Sequence, residues 1–241
     1  MSDRIPRIWA GADVWIIGGG ASIVSEFDIP QNIEKAVRQG DEKLSAFSPY
    51  LHPIHNKHII GVNMAFQLGA FVDILFLGDF SFFNQNRKDI SQFRGLKASC
   101  HKRFAGKEFK DENVYHYGRI RDDGLSMKKG KVVWHGNSGA ASINLASHLG
   151  AKRIFLLGFD MDLSSEGFQH WHNAYTLPGE AGRKKKIKKI KKKRLPFSRH
   201  LTGFPSIKKA ANRLEIEILN VSPNSKIEVF EKITLKEALK R

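Results

Sequence analysis

A chain of 241 residues that is 41% hydrophobic, with one cysteine and a formal net charge of +16, has enough apolar residues for one substantial core; that excludes a disordered protein and a disulfide scaffold. No apolar run approaches the roughly 20 residues of a membrane span, and Met1-Ser2-Asp3-Arg4 lacks a secretory pattern, so a cytoplasmic protein is expected. The charge is concentrated: ten of the twelve residues from Arg183 to Arg194 are basic, and removing those ten from +16 leaves only +6.

In chain order, Asp13-Val14-Trp15-Ile16-Ile17 reads as a strand that runs into a glycine turn, Gly18-Gly19-Gly20, and a helix start at Ser22. Such glycines let a backbone approach a phosphate and take positive φ, but no third spaced glycine completes a dinucleotide fingerprint. Residues 30–55 read as a helix and a loop. His58-Ile59-Ile60-Gly61-Val62 is a second strand ending at Asn63, and Asp73 to Gly78 a third ending at Asp79. Shorter strands are expected at 97–100 and 114–117, and an exposed loop over 118–134 with a turn at Asp122-Asp123-Gly124.

The stretch Gly136-Asn137-Ser138-Gly139 through Gly158-Phe159-Asp160 carries the most information. It reads as a small-residue loop, a helix over 139–149, a strand over 153–158 and a carboxylate past the strand end. That order is how an α/β domain builds a nucleotide site, with phosphate at a helix N-terminus and ligands at the carboxyl edge of the sheet. Residues 162–206 break the rhythm and read as a basic lid insertion. A helix over 206–214, a strand over 215–221, a turn at 223–225 and a terminal helix with Thr234 and Glu237 as a capping box close the chain. The expectation is one domain over 1–241: a Rossmann-like, mostly parallel α/β sheet flanked by helices.

Strand-end residues converge in such a sheet. Gly18, Gly19, Gly20, Ser22, Asn63, Asp79, Asn137, Ser138 and Gly139 are therefore the expected nucleotide-binding set. Asp160 is a candidate catalytic carboxylate, and with Asp162 a candidate Mg2+ pair; whether metal is needed stays open. His170 and His172 flank Trp171 in the lid, either as acceptor or metal contacts or as an exposed aromatic cluster. His200 has the chemistry of a general base toward a hydroxyl. Lys184, Lys185, Lys186, Lys188 and Lys189 are candidate contacts to a polyanion.

Gly18-Gly19-Gly20-Ala21-Ser22-Ile23, the 136–160 segment and Asn220-Val221-Ser222-Pro223-Asn224-Ser225 resemble the superfamily of archaeal 6-hydroxymethylpterin diphosphokinase-like proteins, also frequent in phage genomes. The chain is also similar to single-domain, Rossmann-like bacterial sialyltransferases. The latter resemblance implies a glycosyltransferase with a CMP- or UDP-type nucleotide-sugar donor. Asn63 and Ser138 would contact that donor and His200 would be the base. Asp79 and Gly19 stand where that family has asparagine. The former implies an ATP- and Mg2+-dependent pyrophosphokinase, with Asp160 near the metal. A polyanionic acceptor such as DNA would account for the basic lid. A nucleic-acid-binding protein without turnover is the third reading.

Overall fold

The computed structural model describes residues 4–172 and 196–241. Eight strands form one sheet in the order β10-β9-β8-β1-β2-β3-β4-β5, every neighbouring pair parallel. From β1 (Asp13–Ile17) the sheet grows one way through β2 (His58–Val62), β3 (Ile74–Leu77), β4 (Leu96–Ser99) and β5 (Val114–His116). It grows the other way through β8 (Arg153–Leu157), β9 (Glu217–Asn220) and β10 (Glu231–Lys232). β1 and β8 are thus the point where strand order reverses, and the crevice beyond their carboxyl ends is where such sheets take ligands.

Both faces are covered, so the strands are apolar without a gap. Val14 and Ile16 of β1 pack toward α4 (Ser138–Leu149) and α6 (Phe204–Arg213). Trp15 and Ile17 face the opposite layer with Phe27, Val37 and Phe47. That layer holds α1 (Ser22–Glu26), α2 (Gln31–Gln39), a 3-10 stretch over Leu44–Ile54, α3 (Phe80–Gln92) and α7 (Leu235–Ala238). Trp15 stacks on Phe155 of β8 at 4.4 Å between ring centroids. Such a pair is worth about 1 kcal/mol beyond the area it buries, and here it fixes β1 against β8.

The expected strands and helices of the sheet are present within a residue or two, and the Thr234–Glu237 capping box is formed. The 118–134 stretch differs from the expected exposed loop. It holds β6 (Gly118–Ile120) and β7 (Lys131–Val133), a separate parallel pair, and buries Leu125, Ser126, Val132 and Val133. The cause is Asn144, buried on α4. Its Oδ1 accepts from the backbone of Ser126 and Val133, each at 2.9 Å, and its Nδ2 donates to the Ser126 carbonyl at 3.0 Å. One side chain thus does for this stretch what a neighbouring strand would do. Among the described residues no helix is long and apolar enough to cross a membrane. Of the expected lid, 162–172 crosses the end of β1 and 196–206 forms α5 (Phe197–Leu201) and the start of α6. Lys184, Lys185, Lys186, Lys188 and Lys189 lie outside the described residues.

Candidate functional site

At the end of β1 the glycines continue the ladder to β8 instead of opening a nest of free amides. Gly18 donates to the Leu157 carbonyl and Gly20 to the Gly158 carbonyl, both at 2.8 Å. None of Gly18, Gly19 and Gly20 has positive φ. The room left by their missing side chains is filled by protein. A Cβ on Gly20 would lie 2.6 Å from the Gly158 carbonyl oxygen and from the Asp160 carboxylate; one on Gly19 would lie 2.9 Å from His170 Nδ1. The glycines are required by close packing at the switch point.

Asp160 is the reason for much of that closeness. Its carboxylate accepts from the Ser22 amide at 2.8 Å and the Ser22 hydroxyl at 2.5 Å, and Ser22 Oγ lies 3.0 Å from Ser222 Oγ. The Asp160 carbonyl accepts from the Lys226 amide, and Ser225 Oγ donates to the Phe159 carbonyl. The three sequence segments singled out by resemblance therefore meet here, with Asp160 clamping them. Burial raises its carboxyl above the usual range, against the pull of the Ser22 bonds. Asp162 points elsewhere: Oδ1 accepts from the Leu163 amide at 2.8 Å and Oδ2 lies 3.7 Å from Lys226 Nζ. The two carboxylates are turned to protein donors and do not fit a Mg2+ pair. Among the described residues no group of three or more His, Cys, Asp or Glu side chains is placed to hold a metal.

The His170-Trp171-His172 segment is an internal strap, neither exposed cluster nor surface contact. Trp171 is fully buried and donates from Nε1 to the Gly18 carbonyl at 3.0 Å. His170 pairs with Gly20 as an antiparallel bridge and its Nδ1 donates to the Gly19 carbonyl at 3.1 Å. Arg38 braces the strap, donating to the His170 carbonyl at 2.7 Å and stacking on Phe168 at 3.9 Å. His170 lines the cavity described next, whereas His172 is 4% exposed and does not. Burial pushes His170 down to about 4 and holds His172 well below the usual histidine range, so both are neutral near pH 7.

The opposite wall is the N-terminus of α4. Asn137 caps the helix, its Oδ1 accepting from Gly139 N at 2.8 Å and Ala140 N at 3.4 Å. This leaves its Nδ2 buried without a partner, on a residue only 8% exposed. Asn63, held at φ +52° just past β2, likewise buries an unpartnered Oδ1. A buried polar atom without a partner costs about 1–3 kcal/mol, and two at one cavity point to a bound molecule that completes them.

These walls enclose a cavity of about 450 Å³. Gly18, Gly19, Gly20, Asn63, Asp79, Asn137, Ser138, Gly139 and Asp160 line it, as expected from the strand-end reading, and His170 and His200, expected in the lid, line it too. Ser22 does not line it and acts through Asp160. The sequence reading missed Arg119 and Trp134, both delivered by the 118–134 stretch, and Arg199 beside His200. Arg119 stacks on Trp134 at 3.6 Å, donates from Nε to Cys100 Sγ at 3.3 Å, and donates to the Gly78 carbonyl. Cys100 is wholly buried with its thiol pushed up to about 11, which makes it an inert anchor. His200 sits on α5; burial and Arg199 hold its imidazole below the usual range, and Asp79 pulls it back up. No family model, curated protein or solved structure matches the chain.

Proposed function

We propose that the protein is a nucleotide-dependent transferase. It moves a sugar from a CMP- or UDP-type nucleotide-sugar donor to a hydroxyl on a polyanionic acceptor such as DNA. The observation that carries this reading is the pair of buried, unpartnered atoms Asn137 Nδ2 and Asn63 Oδ1, on residues lining a cavity that also holds the His200 imidazole. The two amides supply one donor and one acceptor, which suits phosphate on one side and ribose or base on the other. A cavity of about 450 Å³ suits a nucleotide-sized ligand. The sialyltransferase resemblance implies donor contacts at Asn63 and Ser138 and a base at His200, and all three line this cavity.

The positive charge that such chemistry needs comes from Arg119, Arg199 and the N-terminus of a twelve-residue helix. His200 takes the acceptor hydroxyl proton as the oxygen attacks the anomeric carbon. The bond from that carbon to the donor phosphate oxygen breaks, and the released charge faces the two guanidinium groups. A placed base contributes about 10²–10⁴-fold; each well-aimed donor to the developing charge contributes about 10²–10³-fold. The donor set favours glycosyl over pyrophosphoryl transfer, because positive side chains stand where a carboxylate-held cation would otherwise be needed. The basic run from Arg183 to Arg194 directly precedes α5 in sequence, which suits a polyanion as the acceptor.

Thermal unfolding with CMP, UDP, GDP, ADP and ATP, each with and without Mg2+, tests the reading. CMP or UDP is expected to stabilise without Mg2+, by about 2.7 kcal/mol at a hundredfold excess over Kd. Stabilisation by ATP only with Mg2+ would establish the pyrophosphokinase instead. Salt-sensitive DNA binding with no nucleotide effect would leave a binding protein without turnover.

A further inference from the structure

Asp79 stands at the end of β3, at the N-cap position of α3, with φ −114° and ψ 128°. An aspartate there ordinarily accepts from the first helical amides. This one does not: its side chain makes no cap hydrogen bond. Among the described residues no ion pair or other hydrogen bond engages its carboxylate. It lines the cavity with His200, which α5 brings in from the other side of the sheet's switch point. This exposed carboxylate, taken by no protein donor among the described residues, lines the same cavity as the imidazole.

We propose that Asp79 is the positioning residue for His200: its carboxylate faces the imidazole across the cavity and stabilises the imidazolium that forms when the acceptor hydroxyl loses its proton. This rests on the transferase reading above. During the step the proton passes from the acceptor oxygen to an imidazole nitrogen, and the oxygen bonds to the anomeric carbon as the phosphate oxygen departs with its electron pair. Asp79 exchanges no proton in this step. Among the described residues no hydrogen bond joins it to His200, so its effect is through space, across a cavity that opens to solvent on the side of the exposed Asp79. The charged and titratable groups around His200 are Arg199 on its own helix, Asp79, Arg119 from β6, His135 ahead of α4, and Asp160 and His170 on the far wall. Arg199 opposes protonation, and among the described residues lining the cavity Asp79 is the carboxylate not committed to a protein donor. Burial and Arg199 hold the His200 imidazole below its usual range, and Asp79 pulls it back up.

The test is an NMR titration of the imidazole Cε1–H signals of the full chain, with His200 identified among the ten histidines by loss of its signal in His200→Gln. Asp79→Asn is expected to shift the His200 midpoint to lower pH, and Asp79→Glu to restore it. An unmoved midpoint in Asp79→Asn overturns the proposal. Once a CMP- or UDP-sugar is shown to turn over, Asp79→Asn should lower kcat and move the acid limb of the rate profile to lower pH, with donor KM unchanged. A raised donor KM with an unmoved limb would make Asp79 a donor contact instead. The titration uses no donor, so it stands even if the protein proves not to be a transferase.

Discussion

Two loops at the carboxyl edge of this sheet look alike in sequence and behave differently in structure. Gly18–Gly20 and Gly136–Gly139 are both small-residue turns between a strand and a helix. In the first, the amides of Gly18 and Gly20 are used on the carbonyls of Leu157 and Gly158 at the end of β8, and the space around the glycines is occupied by the Gly158 carbonyl, Asp160 and His170. In the second, the capping Asn137 leaves Nδ2 unpaired beside an open cavity. A glycine cluster is thus a sign of close approach, and what approaches can be the protein itself. The unpaired buried atom is the better sign of a ligand.

The largest effect that separates the two loops is on stability. Gly20→Ala places a methyl 2.6 Å from the Gly158 carbonyl oxygen and the Asp160 carboxylate, and should cost about 3 kcal/mol. Urea unfolding reads this as a lowered midpoint, and an unchanged midpoint would mean that the first turn has slack for a ligand after all. Next in size is an effect on binding alone. Asn137→Asp keeps the capping oxygen and replaces the unpaired donor with an acceptor. Stability should stay within about 1 kcal/mol, while nucleotide affinity in titration calorimetry falls by roughly 10- to 100-fold. Retained affinity would remove Asn137 from the site. Smaller again is Asn63→Gly, since glycine tolerates the φ of +52° there. Unfolding should be unaffected, and affinity should fall about fivefold for one lost hydrogen bond.

The smallest net effect is on pH dependence. Burial holds His170 down to about 4 from 6.5, so the unfolded chain takes up its proton first and stability falls as pH drops below 6.5, by roughly 2 kcal/mol at pH 5. Glu26 is pushed up to about 7 from 4.5, chiefly by burial and then by Asp160, so the folded chain takes up that proton first. It gains stability between pH 7 and 5, by less than the full shift would give because Glu26 is partly solvated. The two oppose each other, and thermal scans of the unsubstituted protein should fall less on acidification than His170 alone dictates. Glu26→Gln should uncover the histidine and make stability fall on acidification. A flat profile in that variant would mean that the strap does not depend on a neutral His170.

The sheet and most of the cavity wall were legible in the sequence because they rest on local signals. Apolar runs marked β1, β2, β3 and β8, and parallel topology alone brings their following residues, Asn63, Asp79 and Asp160, to one edge. The wall carrying Arg119 and Trp134 was illegible for a physical reason. β6 and β7 are three residues each and are held by Asn144, a polar side chain on a distant helix that no periodicity reveals. The strap at His170-Trp171-His172 was missed in the same way, since its partners are backbone carbonyls of Gly18 and Gly19, about 150 residues earlier. Asp160 and Asp162 illustrate the converse. Their spacing suggested a cation pair, and nothing local in the sequence indicated that Ser22 and Lys226 would take the two carboxylates in different directions.

The most direct test of the account is a crystal structure of the protein soaked with CMP and, separately, with UDP. The account predicts a phosphate within hydrogen-bonding distance of Asn137 Nδ2 and the Ser138 end of α4, with the rest of the nucleotide reaching toward Asn63. A phosphate seated against the Gly18–Gly20 backbone, with Asn137 Nδ2 still unpaired, would contradict it.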